Sequence, residues 1–245
     1  MKEPARPGRV FLSAEWHDLA MLNYEIDPRL LASYIPLGTE LDSFNGTTFV
    51  SLVGFQFHKT RLFGFLTIPL HSNFDEVNLR FYVRRQEGAT LRRGVVFIRE
   101  IVPRRAIADV ARFVYGENYT RHKMRHSITR RGAAIEARYE WQFERHWCHL
   151  YASATGIPAT PLEGSLEQFI TEHSWGYSRK RHGGCLEYQV SHIPWQVWTA
   201  TSAGFEGDGT ALYGAGFGDV LARQPDSAFI ANGSAVQVFT GREIS

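Results

Sequence analysis

Residues 76–83 read EVNLRFYV, and this stretch restricts the fold more than any other. Val77, Leu79, Phe81 and Val83 fall on one side of an extended backbone, with Glu76, Asn78, Arg80 and Tyr82 on the other. That period of two marks a strand with two unlike faces. Similar stretches recur. Residues 48–57 (TFVSLVGFQF) are apolar on both faces, as a strand buried on both sides would be. Residues 135–143 set Tyr139, Trp141 and Phe143 against Arg138, Glu140 and Gln142. Further strands are expected over 95–102, 170–177, 186–198 and 228–239. Helical signals are few. Asp27-Pro28 joins an N-cap to a first-turn proline ahead of Leu30, Leu31, Tyr34 and Ile35, and Pro36 ends the stretch. A helix is expected over 105–115, where Ile107, Val110, Ala111 and Val114 recur at helical spacing before Gly116. Ser165 and Gln168 match a capping box. Many strands with exposed edges must pair or cover them. The expected class is therefore α+β, mainly antiparallel β, a closed or nearly closed barrel with a few short helices. No linker, low-complexity tract or repeat interrupts the chain, so one domain over 1–245 is expected.

Composition supplies enough apolar material for such a core: 44% hydrophobic and 13% aromatic residues. Cys148 and Cys185 are the only cysteines and form no CxxC, which argues against a disulfide framework or a zinc ribbon. Two free thiols, no signal-peptide pattern and no apolar run of membrane-spanning length predict a cytoplasmic protein with no membrane partner. Residues 84–131 hold 13 Lys and Arg against four Asp and Glu, while the whole chain carries only +2. These charges are scattered among apolar strand positions, so a solvated face balanced by acidic neighbours explains them better than a nucleic-acid surface. The aromatics among them, Phe97, Phe113 and Tyr115, form no stacking platform, so no nucleic acid is expected.

Common catalytic and cofactor motifs are missing. GAGFGD at 214–219 lacks the third glycine of a dinucleotide fingerprint and reads as a glycine-rich bend. There is no P-loop, HExxH or GxSxG. His146, Cys148 and His149, or His122 and His126, are neighbours without a metal motif, so neither metal nor cofactor is expected. The polar face of 76–83 is the more informative feature. In a closed sheet one face of each strand points into the lumen, and Glu76, Asn78, Arg80 and Tyr82 would line it beside Arg99 or Glu100. In an open sheet the same four would face solvent.

The order of motifs carries a resemblance. EWHDLAMLNYEIDPRLLASYIPLGTELDSFNGTTFVSLVGF, then EVNLRFYV, then GVVFIREIVPRRAIADVARFVYGENY resembles the YqjF-like family, which is functionally uncharacterised and sits in the acetoacetate decarboxylase superfamily. Asn23, Asp27, Pro36, Leu41 and Asp42 follow the order of features in the decarboxylase itself, most clearly over residues 15–115. The resemblance implies a cone-like antiparallel barrel around a small-molecule cavity, often oligomeric, so a homo-oligomer is one expected state. The decarboxylase has an Arg-Glu pair, then a proline and two lysines, the second forming the Schiff base. Here Arg99-Glu100 and Pro103 match, with two fewer residues between pair and proline, and Arg104 and Arg105 stand where the lysines would be. A Schiff base needs a neutral amine, which guanidinium does not provide. Of the four lysines, Lys2, Lys59 and Lys180 read as a terminus, a strand end and a turn. Lys123, near Tyr119 and His122, is the one stand-in.

Three functions follow from these readings. The first is a pocket for a small anionic, keto-acid-like metabolite. Asn78, Arg80, Tyr82, Arg99, Arg105, Tyr119 and His122 are its candidate ligand-binding residues, since arginine binds carboxylates through a planar fork. Glu76, Glu100 and Lys123 are the candidate catalytic groups. The second is a decarboxylase or aldolase-type lyase acting on a small keto acid. The third is a non-enzymatic ligand sensor or partner-binding module. Sequence alone does not choose between enzyme and binding module, because one fold hosts many activities.

Overall fold

The computed structural model describes residues 8–67, 72–103, 118–180 and 183–244. The helix expected over 105–115, with Arg104 and Arg105, lies outside the described residues, as does Lys2. Seven strands close a barrel: β1 (Val10–Glu25), β3 (Phe49–Leu62), β4 (Phe74–Glu87), β5 (Thr90–Val102), β10 (Trp175–Arg179), β11 (Cys185–His192) and β13 (Ser227–Phe239). They pair in the order β1-β3-β4-β5-β10-β11-β13, and β13 returns to β1. All but one seam are antiparallel; β10 runs parallel to β5 through Trp175↔Gly94 and Gly176↔Val95. Glu40–Leu41 (β2), Tyr119–Arg121 (β6) and Arg242–Ile244 (β14) add short edges to β4, β5 and β11.

A second sheet lies over one side of the barrel. Met124–Arg131 (β7), Ala134–Phe143 (β8), His146–Thr155 (β9) and Val197–Glu206 (β12) form an antiparallel meander. It joins the barrel where β12 pairs briefly with β13. The apolar side of residues 76–83 packs outward under this layer. Val77, Leu79, Phe81 and Val83 share one core with Leu22, Leu52, Tyr139, Trp141 and Leu150. Contact between layers is close enough to require a glycine: a Cβ on Gly54 would lie 2.6 Å from the Tyr139 ring. Strand β3 is thus buried on both faces, as its unbroken apolar run requires.

Helices are short. Asp27 caps α1 (Pro28–Leu31) by accepting from the Arg29 amide, with Pro28 in the first turn. Ser165 caps α2 (Leu166–Thr171) at Gln168, whose side chain accepts in turn from the Gly164 amide. Three expectations need correction. The strand expected over 170–177 begins as the end of α2, because the capped helix carries on through Thr171, and β10 starts only at Trp175. The strand expected over 186–198 is two strands, β11 and β12, broken at 193–196, where Pro194 has no amide for a ladder. The glycine run at 214–219 is the start of α4 (Ala215–Leu221), not a bend. Its glycines bring it against α3 (Gly209–Tyr213): a Cβ on Gly218 would lie 2.1 Å from Thr210 Oγ1.

Candidate functional site

The side chains inside the barrel form layers. On β4 the inward row is Phe74, Glu76, Asn78, Arg80 and Tyr82. Opposite it stand Phe57, Phe55, Val53 and Ser51 on β3, and Glu100, Phe97 and Val95 on β5. One end of the barrel is aromatic. Phe57 stacks on Phe74 at 4.5 Å between centroids, and Trp16 meets Phe55 and Phe57 edge-on. The other end is closed by hydrogen bonds. Tyr82 Oη and Ser51 Oγ are 2.6 Å apart, Ser51 donates to Asn23 Oδ1, and Asn23 Nδ2 donates to Ser227. Phe169 and Ile170 of α2 are buried against that end, with Phe169 packed on Tyr82.

Between the two ends lies a cavity of about 140 Å³. An engineered cavity of roughly 150 Å³ takes up benzene, so the space suits a small organic molecule. Aromatic and aliphatic side chains form most of its wall, and Glu76, Asn78, Arg80, Glu100, Tyr119, Thr171, His173 and His192 supply the polar part. Glu76 accepts from Asn78 Nδ2 at 3.0 Å and from Tyr119 Oη at 3.3 Å. Arg80 Nη2 donates to the Ile170 carbonyl at 3.3 Å, and its guanidinium lies 5.8 Å from the centre of the Tyr82 ring.

Unsatisfied polar atoms gather here. Buried polar groups almost always find a partner, so each exception calls for a reason. Trp16 Nε1, Thr60 Oγ1, Asn78 Oδ1, Arg80 Nε and both ring nitrogens of His173 are buried without a hydrogen-bond partner among the described residues, and all six belong to cavity-lining side chains. Arg80 also has no carboxylate within ion-pair distance among the described residues, although it is only 8% exposed. The Ile170 carbonyl stands near the His173 ring but outside hydrogen-bond geometry. Burial, followed by the cations of Arg80 and Arg93, holds the His173 pKa well below its ordinary value, so the ring is neutral.

The candidates named from sequence divide accordingly. Glu76, Asn78, Arg80, Glu100 and Tyr119 meet in the cavity. Tyr82 faces the interior, with its hydroxyl engaged by Ser51 in the closed end. Arg99 does not join them: its guanidinium lies over Tyr213, because a bulge opposite Leu79 and Arg80 turns it outward. His122 bonds the Gln142 carbonyl through Nδ1 and packs on Phe143, away from the lumen. Lys123 is exposed, ahead of β7. Lys59 pairs with Glu15, and Lys180 with Glu243. Arg105 lies outside the described residues. No group of three or more metal-ligating side chains is found among the described residues.

The basic stretch is matched by acids from elsewhere: Arg84 meets Glu40, Arg93 meets Asp42, Arg125 meets Glu140 and Arg130 meets Asp18. Arg92 and Arg242 hold the buried Glu187 at 2.6 and 2.8 Å, and Arg85 joins them at 3.3 Å. His173, Thr60 and Trp16 were not legible as site residues. No polar face or motif in the sequence joins them, and only the closed barrel brings them together.

Comparisons with known proteins agree with this architecture. A family model described as "uncharacterized conserved protein", DUF2071, matches residues 13–235. The uncharacterized protein YqjF of Bacillus subtilis (strain 168) is 25% identical over 187 residues, covering 76% of this chain and 74% of its own. Acetoacetate decarboxylase from Legionella pneumophila superposes with a TM-score of 0.67 at 13% identity, covering 100% of this chain and 92% of its own. The enduracididine biosynthesis enzyme MppR, complexed with pyruvate, superposes with a TM-score of 0.66 at 16% identity, covering 99% and 93%. At these identities the structural likenesses establish the fold. No helix among the described residues is long and apolar enough to cross a membrane.

Proposed function

This chain belongs to the DUF2071 family of uncharacterized conserved proteins, and we propose that its barrel takes up a small, keto-acid-like carboxylate without Schiff-base chemistry. One observation carries the reading: Arg80 is a buried guanidinium on the cavity wall, with an unpartnered Nε and no carboxylate beside it among the described residues. A buried charge left unpaired is costly, and a carboxylate is the ligand whose two oxygens match the guanidinium fork. His173 supports the same reading. A neutral imidazole offers one donor and one acceptor, and neither ring nitrogen has a partner in hydrogen-bond geometry among the described residues. The pyruvate bound by MppR, which shares the fold, is a small keto acid of this kind.

The absence of Schiff-base chemistry rests on where the amines are. Lys59, Lys123 and Lys180 lie on the outer surface, two of them in ion pairs, and none borders the cavity. Glu76, held by Asn78 and Tyr119, is the group placed to exchange a proton with a bound acid. The test has two arms. Calorimetric titration with pyruvate and acetoacetate should give saturable binding in the wild type and none in Arg80→Met. Borohydride treatment in the presence of acetoacetate should leave the intact mass unchanged. Arg80-independent binding would refute the carboxylate anchor, and a stoichiometric adduct on any lysine would refute the absence of Schiff-base chemistry.

A further inference from the structure

The orphaned atoms of the cavity describe their missing partner more closely than a carboxylate alone. We infer that the occupant is a flat, six-membered-ring carboxylic acid with a hydrogen-bond donor, a hydroxyl or amino group, across the ring from its carboxylate. The inference rests on the anion reading above and adds the body and the far end of the ligand.

Polarity comes first. Arg80 Nε is a donor and requires an acceptor, whereas Asn78 Oδ1 is an acceptor and requires a donor. The two side chains lie on the same face of β4, two residues apart, so their backbones are separated by roughly 7 Å along the strand. A ligand satisfying both must accept at one end and donate at the other. Pyruvate offers only acceptors and leaves Asn78 Oδ1 bare.

Shape comes second. The strands beside these two positions offer apolar surface next to two carboxylates, Glu76 on β4 and Glu100 across from Asn78 on β5. Phe97 stands across from Arg80, Val53 from Asn78, and Phe55 from the next inward residue, Glu76. A cavity of about 140 Å³ is close to the roughly 150 Å³ that takes up benzene, which limits the apolar body of the ligand to one ring. A ring packs well against aromatic walls such as Phe55 and Phe97 and has no rotatable bonds to freeze, which limits the entropy lost on binding. Asn78 is 2% exposed, so its bare carbonyl has no bulk water to fall back on.

The experiment is a calorimetric series of pyruvate, benzoate, 3-hydroxybenzoate, 4-hydroxybenzoate and 4-aminobenzoate against the wild type, Asn78→Leu and Arg80→Met. Benzoate should bind more tightly than pyruvate. The 4-substituted acids should bind about two- to tenfold more tightly than benzoate in the wild type, the increment of one net hydrogen bond. That increment, read as the ratio of each 4-substituted acid to benzoate, should vanish in Asn78→Leu. The ranking within the wild type needs no variant to fold, so it decides the matter even if Asn78→Leu does not. Arg80-dependent binding with no gain from the 4-substituent, or an equal gain in Asn78→Leu, overturns this inference and leaves the anion reading intact. Binding of every acid unchanged in Arg80→Met overturns the anion reading itself.

Discussion

Replacing Arg80 by methionine should leave the empty protein at least as stable while it abolishes binding. The arginine is 8% exposed, and among the described residues its Nε has no partner and its one hydrogen bond is the 3.3 Å contact to the Ile170 carbonyl. Methionine keeps an unbranched stem of similar reach and removes the uncompensated charge. Exchanging buried charges for apolar groups of similar volume stabilises by about 1–4 kcal/mol where the geometry is less than ideal. Loss of one neutral acceptor bond returns about 1 kcal/mol, so a net gain of roughly 0–3 kcal/mol is expected. In a chain of this size each kcal/mol moves the melting midpoint by about 2–4 °C. The midpoint should therefore not fall, and should rise by up to roughly 12 °C, read by differential scanning calorimetry without ligand. Arg80→Lys serves as control: it retains charge without the fork, and should neither stabilise comparably nor bind as the wild type does. A methionine variant melting several degrees below the wild type would refute the reasoning. It would mean that Arg80 is a structural tie whose partners outweigh the cost of its burial.

Two further outcomes follow from the packing. Glu187→Gln strips the carboxylate from Arg92, Arg242 and Arg85 in a buried cluster, and should lower stability by about 3–5 kcal/mol in urea denaturation at pH 7. Burial raises the Glu187 pKa, but its bonds to Arg242 and Arg92 outweigh that and hold it below the ordinary value. The cluster's contribution is thus present above the unfolded value of about 4.3. It is lost as pH falls through the lower folded value, so the gap between wild type and variant should close on acidification. A pH-independent gap would show that the carboxylate's charge is not what matters. Gly54→Ala puts a methyl 2.6 Å from the Tyr139 ring between two packed layers and should cost about 1–3 kcal/mol by the same assay. A neutral effect would mean that the second sheet sits less tightly on the barrel.

How much of this could be read from sequence depended on whether the local pattern stayed in phase. Strand β4 runs without a bulge of its own, so its alternation separated lumen from outer core by eye. Strand β1 escaped direct reading. Leu12, Ala14 and Trp16 face inward, then Asp18 takes a φ of 52° at an irregularity, and the inward set resumes at Leu19 and Met21. A slip of one residue in the middle reverses every later side chain, so no single period of two spans the strand. The run 186–198 misled for the opposite reason: its strand-forming residues continue past the point where its backbone is broken. The site was half legible. Glu76, Asn78 and Arg80 could be placed because they share one strand face, and Glu100 followed from its neighbour. Arg99 could not, because the bulge that turns it outward leaves no mark in composition. His173 could not either, since only the closed barrel brings it to the cavity wall.

The closure of the barrel has a consequence for how the chain is made. Strand β1 is completed on its far side only by β13, and the Asn23 side chain donates to Ser227, a residue 204 positions later. At about 5–20 residues per second, a ribosome needs roughly 10–40 s to span that distance. Throughout that interval β1 can pair with β3 but leaves a 16-residue strand edge open, with inward residues Leu19 and Met21 still unsealed. Open edges of that length invite pairing with other chains. Nascent or C-terminally shortened chains should therefore depend on chaperones and aggregate when these are scarce, whereas the finished barrel has sealed that edge.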